Sequence, residues 1–387
     1  MDSPQSPLAL AGVRVLDVST VLAGPGIARH LADFGADVIK VERPGVGDTA
    51  RNLGWRDESD GETYFFKLAN RNKRCIELDL RSEEGRDRLL DLAAEADVLV
   101  ENMRPGKLEA LGLGPDVLLG RNPDLVITRV TAFGQTGPYR DRPGFATLAE
   151  AMSGFAALNG SEDGPPTLPP VALTDEVTAL AGAFATMVAL HSGVGQVVDV
   201  NLIESLMQIM GPLPSLWLHG GRQQPRLGSG LPYSVPRGCY RTSDGHWLAV
   251  STSADSVAGR VMTLIGLGDD YRFAATSGRM AHRDEVESAM TAWVAARTLD
   301  EALAAFAEAD AAAAPVYDMA ALAADEHAAD RGLFVDVDGF PMQGPAARLS
   351  ATPARLRWPG RALGADNAEA AEGWPTAASG DEPTQQG

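Results

Sequence analysis

Asp175 and Glu176 stand between a proline-rich stretch, Pro169-Pro170-Val171-Ala172-Leu173-Thr174, and an apolar run of small residues over 177–185. The pattern predicts a long helix that opens at the acidic pair. A carboxylate there meets unpaired N–H groups and the positive end of the helix dipole. Two chemistries fit. Asp175 is either a helix cap or an ionised nucleophile at the mouth of an apolar site.

Three further stretches carry cations or amides. Lys40-Val41-Glu42-Arg43-Pro44-Gly45 brings Arg43 to the end of an expected strand, where guanidinium can fork to phosphate or stack on a ring. Asn70-Arg71-Asn72-Lys73-Arg74 places three cations before a strand, and Glu101-Asn102-Met103-Arg104-Pro105-Gly106 offers Asn102 and Arg104 after one. Each alone reads equally as a solvated loop. Together they describe a convergent anion site. Leu22-Ala23-Gly24-Pro25-Gly26 is a tight turn before a helix; it lacks the G-x-G-x-x-G spacing and a P-loop lysine. The histidines near helices, His30, His191 and His219, read as packed or surface residues. No Ser–His–Asp order and no G-x-S-x-G elbow is present.

The elements that position these groups follow from periodicity. Strands are expected over 13–18, 37–42, 74–79, 98–100, 125–130 and 196–201. Helices are expected over 24–34, 82–94, 145–157, 175–191 and 202–210. Alternation of this kind implies a mostly parallel sheet with helices on both faces, and ligands at the C-terminal strand ends. Near residue 220 the character changes. Strands around Ser243-Asp244-Gly245 make a hairpin, and alanine-rich helices follow, so 230–315 reads as a small α+β domain.

The 387 residues exceed one simple core. The net charge of −19 argues against nucleic acid as a partner. Two distant cysteines, Cys75 and Cys239, exclude a disulfide framework and fit a reducing cytoplasm. The six histidines show no metal-ligand spacing, so no metal is expected. Nor is a membrane partner, because no apolar run reads as a bilayer span.

The ordered motifs resemble the class III CoA-transferases, the group related to formyl-CoA transferase and α-methylacyl-CoA racemase. The carrying residues are Gly12-Val13-Arg14-Val15-Leu16-Asp17, Ala23-Gly24-Pro25, 35–43, Asn72-Lys73-Arg74, 97–102, Arg104-Pro105-Gly106, 133–138 and Gly195-Gln196. The match runs over about 8–355. The resemblance implies a Rossmann-like large domain built from 1–220 and a returning 321–364, a linker and small domain over 221–320, and an interlocked homodimer. A flexible tail is expected over 365–387. It also implies that Arg43, Asn72, Lys73, Arg74, Asn102 and Arg104 bind CoA, with no permanent cofactor, and that Asp175 is the nucleophile. Acyl-CoA and a carboxylic acid would be the substrates, joined through an aspartyl anhydride and an aspartyl-CoA thioester. Gly228, Ser229 and Gly230 would shield the site and supply oxyanion N–H groups.

The racemase branch needs a histidine, which 142–147 lacks, and a later glutamate, which Ser253-Ala254 lacks. The transferase is therefore favoured, with a 2-methylacyl-CoA racemase or related acyl-CoA isomerase as the alternative enzyme and a non-catalytic CoA- or nucleotide-binding module as the further alternative. Ala146, Leu22 and Ala110 stand where relatives carry acidic, glutamine and arginine residues, and the glycine loop is short. These departures point away from oxalate and formate, toward a larger or more apolar acyl group.

Overall fold

The computed structural model describes residues 7–370 and 373–374, apart from residue 253. The chain forms two compact units, each described by itself. The first comprises 7–153, Pro169–Ile209 and the residues from Arg331 on; the second comprises Gly154–Leu168 and Met210–Asp330. The chain therefore enters the second unit twice, a crossing that periodicity does not signal.

The first unit is built on six parallel strands. These are β1 (Arg14–Asp17), β2 (Asp37–Glu42), β3 (Lys73–Glu77), β4 (Val98–Glu101), β5 (Val126–Thr131) and β6 (Gln196–Asn201), in the order β3-β2-β1-β4-β5-β6. Val15, Leu16, Ile39, Val98, Leu99 and Ile127 are fully or almost fully buried, as unbroken apolar runs in a doubly covered parallel sheet require. The strand order reverses between β1 and β4, which opens a crevice at their C-terminal ends.

Helices α1 (Ala23–Asp33), α2 (Glu83–Ala94), α3 (Ala146–Met152), α4 (Leu173–Ser192) and α5 (Leu202–Gln208) belong to this unit. Ile27 and Leu31 of α1 share one core with Ala179 and Ala183 of α4. Leu89 and Leu92 of α2 cover the other face with Leu108 and Leu118. α4 spans 20 residues, and its most apolar 18-residue window has a mean hydropathy of 1.3, which matches a bilayer span by length and composition, with Asp175 and Glu176 interrupting the apolar run as the sequence indicated. Here α4 packs on α1 through small residues. A Cβ on Gly26 would lie 2.7 Å from that of Ala179, and one on Gly182 would lie 2.3 Å from Ile27 Cδ1.

The second unit holds a three-stranded antiparallel sheet, β7 (Arg237–Arg241), β8 (Trp247–Ser251) and β9 (Ala313–Pro315). Helices α6 (Asp255–Leu264), α7 (Arg283–Ala295) and α8 (Leu299–Glu308) cover it, with Leu248, Val261, Met290 and Phe306 in the core. Thr298 and Glu301 close a capping box that starts α8.

The chain then returns to the first unit. A hairpin of β10 (Phe334–Val337) and β11 (Phe340–Gln343) leads to a segment that docks beside β3. Asn72 Nδ2 donates to the Arg355 carbonyl (2.9 Å), Asn72 Oδ1 accepts from the Arg357 N–H (2.7 Å), and Trp358 Nε1 donates to the Lys73 carbonyl (3.0 Å). Described residues of the segment expected as a flexible tail over 365–387 are anchored to the first unit. Asp366 accepts from the Cys75 N–H (2.7 Å), and Trp374 is buried, its Nε1 donating to the Leu92 carbonyl (2.9 Å). Residues 371–372 and 375–387 of that tail lie outside the described residues, as does Ser253.

Candidate active site

Asp175 is the third residue of α4, not its cap. Ala172 occupies the cap position and makes no side-chain cap bond. The Asp175 carboxylate has no hydrogen-bond or ion-pair partner among the described residues, and it is half-buried. Desolvation, then the adjacent Glu176 and Glu150, push its carboxyl up to about 6. The helix dipole does not hold it low; burial and like charge prevail. Glu176 is drawn aside by Arg29 of α1, whose Nη2 donates to it at 2.9 Å. His30 beside Arg29 is held down to about 3 by burial and by the neighbouring cation, so it is neutral and packed rather than a general acid.

The crevice at β1 and β4 is held by a polar network. Asn102 Oδ1 accepts from the Thr20 N–H (2.8 Å), and its Nδ2 donates to the Thr20 carbonyl (2.6 Å). Asp48 Oδ1 accepts from the Val21 N–H (2.9 Å). Val21 sits at φ 71°, a left-handed conformation that β-branched residues avoid. The loop after β1 is thus pinned from both sides in a strained shape.

Below it lies a buried charge cluster. Lys73 Nζ donates to Asp17 (2.8 Å), to the Pro25 carbonyl (2.7 Å) and to Asn70 Oδ1 (2.9 Å). Lys40 pairs with Asp48 (2.9 Å) and donates to the Ser19 carbonyl. Burial pushes the Asp17 carboxyl up, but Lys40 and Lys73 outweigh it and hold it below the usual range. Burial lowers Lys73 to about 8 despite Asp17.

This arrangement sorts the expected CoA contacts. Asn72 and Lys73 are buried, with their polar atoms spent on Asp33, the returning segment, Asp17, Pro25 and Asn70. Neither is open to a ligand here. They read as ligand contacts from sequence because a charged, amide-rich stretch does not reveal that the far end of the chain covers it. Arg74 is half-buried between Asp37 and Glu369. Arg43 is exposed and lines a cavity of about 290 Å³ with Thr20, Asp79, Arg81, Met103 and Leu111. Arg104 is also exposed, in a smaller hollow with Asn102, Phe133, Arg140 and Arg142. Arg142 stacks on the Tyr139 ring at 3.7 Å. Sequence reading missed Arg140 and Arg142. The signal was their density in Tyr139-Arg140-Asp141-Arg142, beyond the end of β5 and so at the same sheet edge.

Gly228, Ser229 and Gly230 lie in the second unit. The Gly228 N–H donates to the Gly160 carbonyl (3.0 Å) and the Gly230 N–H to the Leu227 carbonyl (2.8 Å). Two of the three N–H groups expected to serve an oxyanion are therefore engaged; that of Ser229 has no partner among the described residues. Gly228 and Ser229 line a cavity of about 590 Å³ with Arg237, Cys239 and Ala313.

The chain is similar to proteins of known activity. It is 38% identical to a succinyl-CoA–D-citramalate CoA-transferase of Chloroflexus aurantiacus, over 95% of this chain and 94% of that one. It is 34% identical to a succinate–glutarate CoA-transferase of Agrobacterium fabrum, over 95% and 96%. A CAIB/BAIF family protein from Brucella suis shares the fold, with a TM-score of 0.84 and 33% identity over 94% of this chain and 98% of that one. The model of CoA-transferase family III matches residues 10–367, the whole of the parallel sheet, the second unit and the returning segment. The chain belongs to CoA-transferase family III.

Proposed function

We propose that this CoA-transferase moves CoA from succinyl-CoA to a second short dicarboxylic acid, with Asp175 as the covalent carrier. The observation that carries the reading is the Asp175 carboxylate itself, unpartnered at the start of α4 and made basic by burial. The substrates named for the relatives, succinyl-CoA with D-citramalate for one and succinate with glutarate for the other, shift the expectation from a large apolar acyl group to a dicarboxylic one.

The Asp175 carboxylate attacks the donor thioester carbonyl and expels CoA thiolate, leaving a mixed anhydride. The thiolate then attacks the aspartyl carbonyl and releases the donor acid, which gives an aspartyl-CoA thioester. The acceptor carboxylate attacks that thioester, expels the thiolate again and forms a second anhydride. Attack of thiolate on the acceptor acyl carbon completes the exchange and restores Asp175. Each step exchanges carboxylate for thiolate, so no water or external base is consumed. Arg43 and Arg104 hold the nucleotide end of CoA at the sheet edge, Asn102 shapes that edge by holding the Thr20 loop, and Asn72 and Lys73 brace the loops from beneath.

The chain also acts as a homodimer in this reading. Leu180, Phe184 and Val188 form an exposed apolar stripe along α4. Leu180 and Phe184 line, with Leu333 and Leu349, a cavity of about 1220 Å³. An exposed patch of this kind marks an association surface.

The test is capture of the intermediate. Incubation with succinyl-CoA followed by hydroxylamine should place a hydroxamate on Asp175, seen by peptide mass spectrometry. Full exchange activity in Asp175→Ala would end the proposal.

A further inference from the structure

We propose that Glu150 is a positioning residue for Asp175: it holds the first turn of α4 through Thr174 and sets an uncompensated negative charge against the nucleophile. This rests on Asp175 being the nucleophile of the proposed exchange.

Glu150 lies on α3 and is 4% exposed. Thr174, fully buried and next to Asp175 in the chain, donates its hydroxyl to Glu150 Oε1 at 2.9 Å. No cation pairs with Glu150 among the described residues. That sets it apart. Asp17, Asp33, Glu42, Asp48, Glu101 and Asp366 are equally buried, and each is paired with a lysine or arginine. A buried carboxylate without a cation is costly, and one hydroxyl does not offset the loss of water. A fold that compensates six such groups and leaves the seventh bare beside Asp175 has a use for the charge.

The other charged groups around α4 are balanced, neutral or exposed. Glu176 is taken by Arg29. His30 on α1 is neutral. Arg129 on β5 is bound by Glu101 and Glu109. Asp199 on β6 accepts from the Gln135 N–H, and Glu204 on α5 is exposed to water. Among the carboxylates of the described residues, Glu150 alone is both buried and without a cation.

A like charge makes a carboxylate more basic and so a stronger nucleophile. The effect is also selective for the step. Repulsion exists while Asp175 is ionised and disappears when acylation neutralises it, so it raises the ground state and spares the anhydride. The elevation of Asp175 to about 6, to which Glu150 contributes after burial and Glu176, agrees with this geometry.

Glu150→Gln keeps an oxygen for Thr174 and removes the charge. The pH midpoint of carbodiimide labelling at Asp175, read by peptide mass spectrometry, should fall by about 0.5–1 unit. The acid limb of kcat should move with it, and the plateau should drop about three- to tenfold with KM for the CoA ester unchanged. An unmoved midpoint in the folded variant overturns the proposal, as does lost stability with an unchanged pH profile, the mark of a purely structural role. Thr174→Val supplies a second arm: it frees the carboxylate but keeps the charge, so the midpoint should stay at or above the wild-type value, and a fall overturns the proposal. If wild-type protein forms no Asp175 adduct with succinyl-CoA, the proposed function fails, while the labelling midpoint still decides what Glu150 does to Asp175.

Discussion

At the scale of single residues, Asp175 costs the fold stability, as the nucleophile's role proposed for it requires. Its carboxyl sits at about 6 in the fold against 3.8 as the ordinary value. The folded state therefore holds the proton more tightly than the unfolded one. The stability Asp175 allows is fully present below about 3.8 and is lost as pH rises through 6. Asp175→Asn removes the ionisation. It should match wild type near pH 4 in urea unfolding and exceed it by about 1–3 kcal/mol above pH 7, while exchange activity disappears. A gap that does not change with pH would show that the wild-type aspartate is not strained by its charge. Arg43 has a different signature. Loss of one charged hydrogen bond to phosphate is worth about 1.5–3 kcal/mol, so Arg43→Ala should raise KM for the CoA ester about 10- to 100-fold and leave kcat nearly intact. Steady-state kinetics decide this, and a collapse of kcat at constant KM would move Arg43 out of the nucleotide site.

Among elements, the contact of α1 with α4 sets where Asp175 stands. Gly26 faces Ala179 so closely that an added Cβ would lie 2.7 Å from the Ala179 Cβ, a methyl that cannot rotate out of the way. Gly26→Ala should cost about 1–3 kcal/mol by overpacking and lower kcat, because α4 must shift. Ala179→Gly in the same chain should recover most of both losses, a coupling that chemical denaturation of the four proteins measures. Sequence pattern located these elements well, since buried parallel strands and small-residue helices carry strong periodic signals. β2 and β6 fall on the expected residues, and α4 begins two residues early. The motif loops were harder. Gly24-Pro25-Gly26 opens α1 as expected, but the sequence did not show why glycines stand there: Gly24 makes room for Ser19 and Gly26 for Ala179. Lys73 reads as a ligand contact and is buried. Glu150 gave no signal at all, because an acid on a short helix is ordinary until its neighbours are known. Local chemistry is legible in a sequence; what covers a residue from a distance of hundreds of positions is not.

For the whole molecule, the apolar stripe of α4 predicts self-association. Phe184 is 72% exposed. Phe184→Glu should turn a species of twice the 40.7 kDa chain mass into smaller or aggregated forms in light scattering. An unchanged, active dimer would place the contact elsewhere. The docking of 355–358 on Asn72 has a different kind of consequence, one of timing. The partners in the bond from Arg357 to Asn72 are 285 residues apart. At about 5–20 residues per second a ribosome needs roughly 15–60 s to travel between them. Throughout that interval the edge of the sheet beside β3 waits with Asn72 held in a left-handed turn and no segment to cover it. The second unit, made entirely before Arg331, is synthesised and free of the ribosome's tunnel before the first unit can close. The larger body of this enzyme, although it begins first, is the last to be finished.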